Sequence, residues 1–209
     1  MLLAPATACA HRLDEYLQAT LISVQKDALH AELELTPGVA VYPAVAAQID
    51  TDGDGAISES EQRAYAERVL DDLRLTIDGR PLRPRLVSMR FLSTAELMEG
   101  LGAIRIEFQA TLPRGGSRRR IVFENRHQSR IGVYLVNCLV PSDPDIRIEG
   151  QRRNYLQTHY ELDYTQAGVS PAAVWMGWMG ERAWIGAVAL LLVARFAMLW
   201  RRRVRAAAS

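Results

Sequence analysis

The chain has 209 residues, 49% of them apolar and 23% charged, with 25 Lys and Arg against 24 Asp and Glu. This excludes a disordered chain and a uniformly membrane-embedded one. The formal net charge of +1 lacks the basic excess of a dedicated nucleic-acid binder, so no nucleic-acid partner is expected. Two cysteines, Cys9 and Cys138, cannot build a disulfide framework, and neither lies in a CxxC.

Residues 1–10 read MLLAPATACA, and Ala8-Cys9-Ala10 has the small-residue pattern of a secretory cleavage site. A charged n-region and a full apolar h-region are missing, so this is read as a signal-peptide remnant, with His11 the first mature residue and the true start expected upstream of Met1. Strands are then predicted over 17–25 and 28–35, with a hairpin at Lys26-Asp27.

The pattern breaks at 50–61, DTDGDGAISESE, which fits the calcium loop D-x-[DN]-x-[DN]-G-x5-E at every position. Ca2+ is a hard cation that takes six to eight oxygens, and alternating aspartates can wrap it in a tight loop. Asp50, Asp52 and Asp54 fill the first, third and fifth places, Ala56 offers its carbonyl at the seventh, and Glu61 a bidentate carboxylate at the twelfth. Gly55 permits the sharp turn at the sixth. Ser58 and Glu61 also form a capping box that starts a helix through Leu70, and Pro43 opens a shorter helix through Ile49.

Downstream, Leu73–Ile77 precedes Asp78-Gly79, a strong hairpin signal, and strands are predicted over 81–91, 103–112, 120–124, 131–140, 146–149 and 155–164. Arg118-Arg119-Arg120, after Gly115-Gly116, reads as a solvated turn or, as the alternative, a phosphate or lipid-headgroup patch. Residues 166–182 form a linker. Residues 183–200 are an apolar run with Trp184 and Trp200 near its ends, followed by Arg201, Arg202, Arg203 and Arg205 in the basic tail 201–209. That is the pattern of a transmembrane helix with its C-terminus in the cytoplasm.

The loop and its flanks resemble EF-hand proteins. The expected fold is therefore α+β: a β-sandwich-like extracytoplasmic domain over 11–165 carrying an EF-hand helix-loop-helix at 43–73, plus one C-terminal transmembrane helix. The expected localisation is that of a single-pass membrane protein, with its N-terminal domain periplasmic or extracellular. More loosely, Ala10 to Tyr16 (AHRLDEY), the DxDGDG loop with its Ala64-Tyr65-Ala66 helix, and Leu75 to Leu82 (LTIDGRPL) resemble the segments preceding nickel/cobalt permeases of the hydrogenase- and urease-accessory type. This second resemblance implies a membrane transporter as partner. It does not carry transport over, because a single span is expected here.

No GxSxG, HExxH, P-loop or GxGxxG occurs, and Glu107, Glu124, Glu149 and Glu161 are scattered, so no enzyme is expected. The expected function is a calcium-binding, membrane-anchored interaction or accessory module with Ca2+ as its cofactor. The alternative is a transition-metal handling protein for Ni, Co or Cu. In that alternative a mature N-terminal His11 would offer its amine and imidazole to Cu(II) or Ni(II), completed by His30, His127 or His159.

Overall fold

Alternation of apolar and polar residues sets which face of each strand is buried. In β1 (Tyr16–Val24) and β2 (Ala28–Pro37) every second side chain is buried, and Gln25 N–H donates to the Ala28 carbonyl at 2.8 Å to close the hairpin between them. A period of two puts one face toward a core and the other toward water. The computed structural model describes residues 14–98 and 102–167, and all assigned elements fall within the unit Met1–Gln166.

After β2 come α1 (Tyr42–Ile49) and α2 (Glu59–Asp71), then β3 (Leu73–Ile77), β4 (Arg80–Leu82), β5 (Arg85–Arg90), a short α3 (Thr94–Met98), β6 (Ile104–Thr111), β7 (Arg118–Asn125), β8 (Gly132–Cys138), β9 (Ile146–Arg153) and β10 (His159–Gln166). The strands form two five-stranded sheets, ordered β5-β6-β2-β1-β8 and β4-β3-β7-β10-β9. Their inner faces share one apolar core. Leu29, Leu33, Ile106 and Phe108 come from the first sheet, and Leu75, Phe123, Tyr160 and Leu162 from the second.

Most ladders are antiparallel, but β1 pairs with β8 in parallel, from Tyr16↔Gly132 to Ile22↔Cys138. This long crossover brings the start of β1 beside the β7–β8 connection, and it positions the polar cluster described below. At the β3–β4 turn Asp78 has φ 51° and Gly79 φ 77°, the two positive values that a two-residue type I′ hairpin requires.

Several expectations are corrected. The α+β class gives way to a mostly β fold, because among the described residues the three helices, of 8, 13 and 5 residues, are short insertions beside ten strands. The strand expected over 81–91 is divided at Arg83-Pro84, since proline cannot donate to a ladder. The strand expected over 155–164 starts only at His159, because Asn154–Thr158 forms a turn with Gln157 at φ 55°. The short helix α3, capped by Ser93 and Glu96, was not expected.

The single-pass localisation is also corrected: among the described residues no helix is long and apolar enough to cross a membrane. The longest, α2, has 13 residues and rises about 20 Å, short of a hydrocarbon core about 30 Å thick. The expected span at 183–200, the basic tail 201–209, the signal remnant 1–10 and His11 lie outside the described residues.

The two faces of β1 and β2 make opposite predictions. Leu33 is 0% exposed and Leu21 is 41% exposed. Leu33→Ala should cost about 2–5 kcal/mol in urea unfolding, whereas Leu21→Ala should stay within about 0.5 kcal/mol of the parent. Equal losses would mean that the faces are assigned the wrong way round.

Candidate metal centre

Helix α1 ends at Ile49 and α2 begins at Glu59, so residues 50–58 make the connection between them. The loop is shaped by its own carboxylates. Asp50 accepts the N–H of Gly53 on Oδ1 at 2.7 Å and that of Gly55 on Oδ2 at 3.0 Å. Asp52 Oδ1 accepts Asp54 N–H at 3.2 Å, and Asp54 Oδ1 accepts Ala56 N–H at 2.7 Å. Short acidic side chains make such local turns readily. Gly55 stands at φ 82° with nothing within 4 Å of where a Cβ would sit, so backbone conformation, not space, demands glycine there.

One carboxylate oxygen from each of Asp50, Asp52 and Asp54 lies within 4.8 Å of the others. Oxygens bound to a single Ca2+ at about 2.3–2.6 Å are never more than about 5 Å apart, so this spacing fits one ion. The donor set is also right for a hard cation, since all of it is oxygen. Three carboxylates this close repel one another, and a divalent ion removes that repulsion.

Glu61 does not join the group. Its Oε1 accepts Thr51 N–H at 2.6 Å, Thr51 O–H at 3.1 Å and Asp52 N–H at 3.4 Å. Its Oε2 accepts Ser58 N–H at 3.0 Å and Ser58 O–H at 2.8 Å. Ser58 Oγ in turn accepts Glu61 N–H at 3.3 Å, completing the capping box read from the sequence. The donors from Ser58 and Thr51 hold the Glu61 carboxyl down at about 2, because each stabilises the ionised form. Coordination of an ion by both oxygens would require Glu61 to give up some of these donors.

The buried face of α2, formed by Tyr65, Ala66, Val69 and Leu70, seats the unit on the sandwich. Beneath it runs a buried polar chain. Tyr16 and Tyr65 share a hydrogen bond of 2.8 Å, the Tyr65 hydroxyl lies 3.1 Å from His127 Nε2, and His127 Nδ1 lies 2.8 Å from Asp72 Oδ2. An ionised carboxylate only accepts, so Nδ1 carries the proton, Nε2 accepts from Tyr65, and Tyr65 accepts from Tyr16. Burial lowers the His127 pKa and Asp72 partly offsets this, which favours the neutral imidazole. The carbonyl of His127 accepts from Gln18 at 2.9 Å and from Tyr134 at 2.7 Å, while Asn125 bridges Gln18 Oε1 and His127 N–H at 2.9 Å each. The sequence singled out His127 but did not show that Gln18, Asn125, Tyr16 and Tyr65 gather around it. The signal available was two polar residues, Gln18 and Thr20, on the inward-facing register of β1. At 0% and 1% exposure, Tyr16 and Tyr65 cannot reach a substrate, so this Asp-His-Tyr relay holds elements together.

Cys138, His159 and His30 do not join this cluster. Burial pushes the Cys138 thiol up to about 11, which keeps it protonated at neutral pH. His159 sits 3.3 Å from both Glu124 and Glu161, and His30 lies on the outer register of β2 opposite Ser23. Among the described residues no metal-capable group contains His30, His127 or His159.

Two predictions follow from this geometry. Tyr65→Phe strips a partner from both Tyr16 and His127 and should cost about 1–3 kcal/mol in denaturant unfolding; no loss would mean that the chain is not formed. For Glu61 the folded pKa lies below the unfolded one of about 4.3. Its stabilisation is therefore complete above that value and lost as pH falls toward about 2. In calcium-free melts the gap between wild type and Glu61→Gln should be wide at pH 6 and close toward pH 2. A gap that does not change with pH would contradict the assignment.

No family model matches the chain, and neither a curated protein nor a solved structure matches it, so the reading of the site rests on its own residues.

Proposed function

We propose that this protein is a calcium-binding interaction or accessory module in which Ca2+ is held by Asp50, Asp52, Asp54, the Ala56 carbonyl and Glu61. The observation that carries this reading is the convergence of three aspartate oxygens within 4.8 Å, in a loop that fits the EF-hand pattern at every position. The chemistry the ion supplies is charge neutralisation and a rigid link between α1 and α2.

The chain's own residues do the rest. Asp50 folds the loop through the N–H groups of Gly53 and Gly55. Arg68 Nη2 donates to the Gln48 carbonyl and Gln128 pairs with Gln48, tying the end of α1 to α2 and to the β7–β8 connection. Ligation then stiffens a unit already fastened to the sandwich. This favours a staple over a switch that opens a groove, as does the absence of a second such loop from the sequence. The module binds and does not catalyse, and the partner that the permease resemblance implies is a membrane transporter.

Affinity should be weak, about 10⁻⁴–10⁻³ M, because Glu61 must exchange N–H donors for the ion and no paired loop preorganises the site. Calorimetry should give one site per chain. At a hundredfold excess of calcium over the dissociation constant the fold should gain about 2.7 kcal/mol, a rise of roughly 5–10 °C in Tm for a domain of this size. Asp50→Asn and Glu61→Gln should each abolish that rise. Wild-type binding in Glu61→Gln would remove it from the ligand set, and no calcium effect on the parent would overturn the function.

A further inference from the structure

A second charged feature lies away from the calcium loop, where the β3–β4 turn meets the segment that leads into β7. A cleft of about 380 Å³ is lined there by Asp78, Arg80, Arg114, Gly115, Arg118 and Arg119. Four guanidinium groups face one carboxylate, and that carboxylate is fully committed. Asp78 Oδ2 accepts Arg119 Nε–H at 2.9 Å, and Asp78 Oδ1 accepts the backbone N–H of Arg120 at 2.9 Å.

Arg119 is the built part. Its side chain is 3% exposed, and Nη1 donates to the Pro113 carbonyl at 2.8 Å. The loop is moulded on the guanidinium, because a Cβ at Gly115 would fall 2.6 Å from Arg119 Cζ. Arg80, Arg114 and Arg118 are exposed and have no acidic partner among the described residues. On the open face of the same sheet the arrangement differs: Arg120 pairs with Asp163, and Arg152 with both Glu161 and Asp163. An adjoining cleft shares Asp78, Arg118 and Arg119 and is lined by Tyr164, whose buried hydroxyl lacks a hydrogen-bond partner. That adjoining cleft also carries Glu149, which accepts from Thr165, and Asp163, which is paired with Arg120 and Arg152, so the unpaired charges of the first cleft are the guanidinium groups of Arg80, Arg114 and Arg118.

We infer that this cleft binds a tetrahedral oxyanion, the phosphate or sulfate group of a small molecule or of a lipid headgroup. Arg80, Arg114 and Arg118 grip the anion, while Arg119, fixed by Asp78 and Pro113, forms the charged floor. The forked guanidinium matches phosphate oxygens two at a time, and a concave wall of one sign concentrates anions. An anion also relieves the mutual repulsion of Arg80, Arg114 and Arg118, which the single carboxylate of Asp78, already paired with Arg119, does not balance.

The test uses the full chain in calcium-free buffer at low ionic strength, titrated calorimetrically with inorganic phosphate and with sulfate. Saturable one-site binding is expected, weakened by about tenfold or more when Arg114 and Arg118 are both changed to alanine. Arg63→Ala, an exposed arginine on α2 outside both clefts, should leave affinity within about twofold. Gly115→Ala should weaken binding with Arg80, Arg114 and Arg118 all intact, which separates the fixed position of Arg119 from bulk charge. A parallel arm compares wild type and the Arg114/Arg118 double variant on phosphatidylglycerol vesicles. A difference on vesicles without binding of the free anions makes a lipid headgroup the source, and binding of the free anions alone makes it a soluble molecule. If neither anion nor vesicles distinguish wild type from the double variant, or if Arg63→Ala weakens binding as much, the site does not exist.

Discussion

Glu61 sits where the loop meets the second helix, and its carboxylate ties the two together. Oε1 gathers the start of the loop through Thr51 and Asp52, Oε2 caps α2 through Ser58, and α2 in turn buries Tyr65, Val69 and Leu70 against the sheets. A helix N-terminus leaves four N–H groups without partners, so a carboxylate here satisfies donors that would otherwise face water or nothing. The same charge at the twelfth loop position is what an EF-hand ion needs. These two demands compete for one pair of oxygens. Under the proposed function this competition would link calcium affinity to the stability of α2.

The loop would mean little if α2 were free to move. It is held at its far end by Asp72, which pins His127, and at its middle by Tyr65, which reaches the same imidazole. The neutral ring, with a donor on one side and an acceptor on the other, satisfies both neighbours without burying a charge. This corner exists because β8 lies in parallel beside β1, bringing the residue pairs Tyr16↔Gly132 and Gln18↔Tyr134 next to the β7–β8 connection. A similar device holds the opposite feature: Asp78, placed by a two-residue turn, fixes Arg119 on the floor of the basic cleft. In both places an aspartate at a chain reversal orients a buried nitrogen base or cation.

What could be read from the sequence was mainly local. The alternation in β1 and β2, the Asp78-Gly79 turn and the Ser58–Glu61 box each depend on residues a few positions apart, and each has the expected geometry. The spacing of Asp50, Asp52 and Asp54 is legible for the same reason. Glu61 was read as a ligand, yet it lies outside the three-aspartate group, because hydrogen bonds to Thr51 and Ser58 compete and spacing alone does not weigh them. The β1–β8 pairing joins residues more than a hundred positions apart, and periodicity carries no sign of such a partner. The Tyr16–Tyr65–His127 chain depends on that pairing and was invisible for that reason. The α+β class failed because a clear helix-loop-helix signal weighed more than its share of the chain, and a single-pass placement finds no helix among the described residues able to cross a membrane.

The most direct measurement of the central claim is a crystal structure grown with calcium. One ion should lie about 2.3–2.6 Å from oxygens of Asp50, Asp52, Asp54, the Ala56 carbonyl and Glu61, with the Glu61 carboxylate turned away from the N–H groups it accepts in the structure described here. A loop without an ion at saturating calcium would contradict the claim. So would an ion held only by the three aspartates and water, with Glu61 still on Thr51 and Ser58.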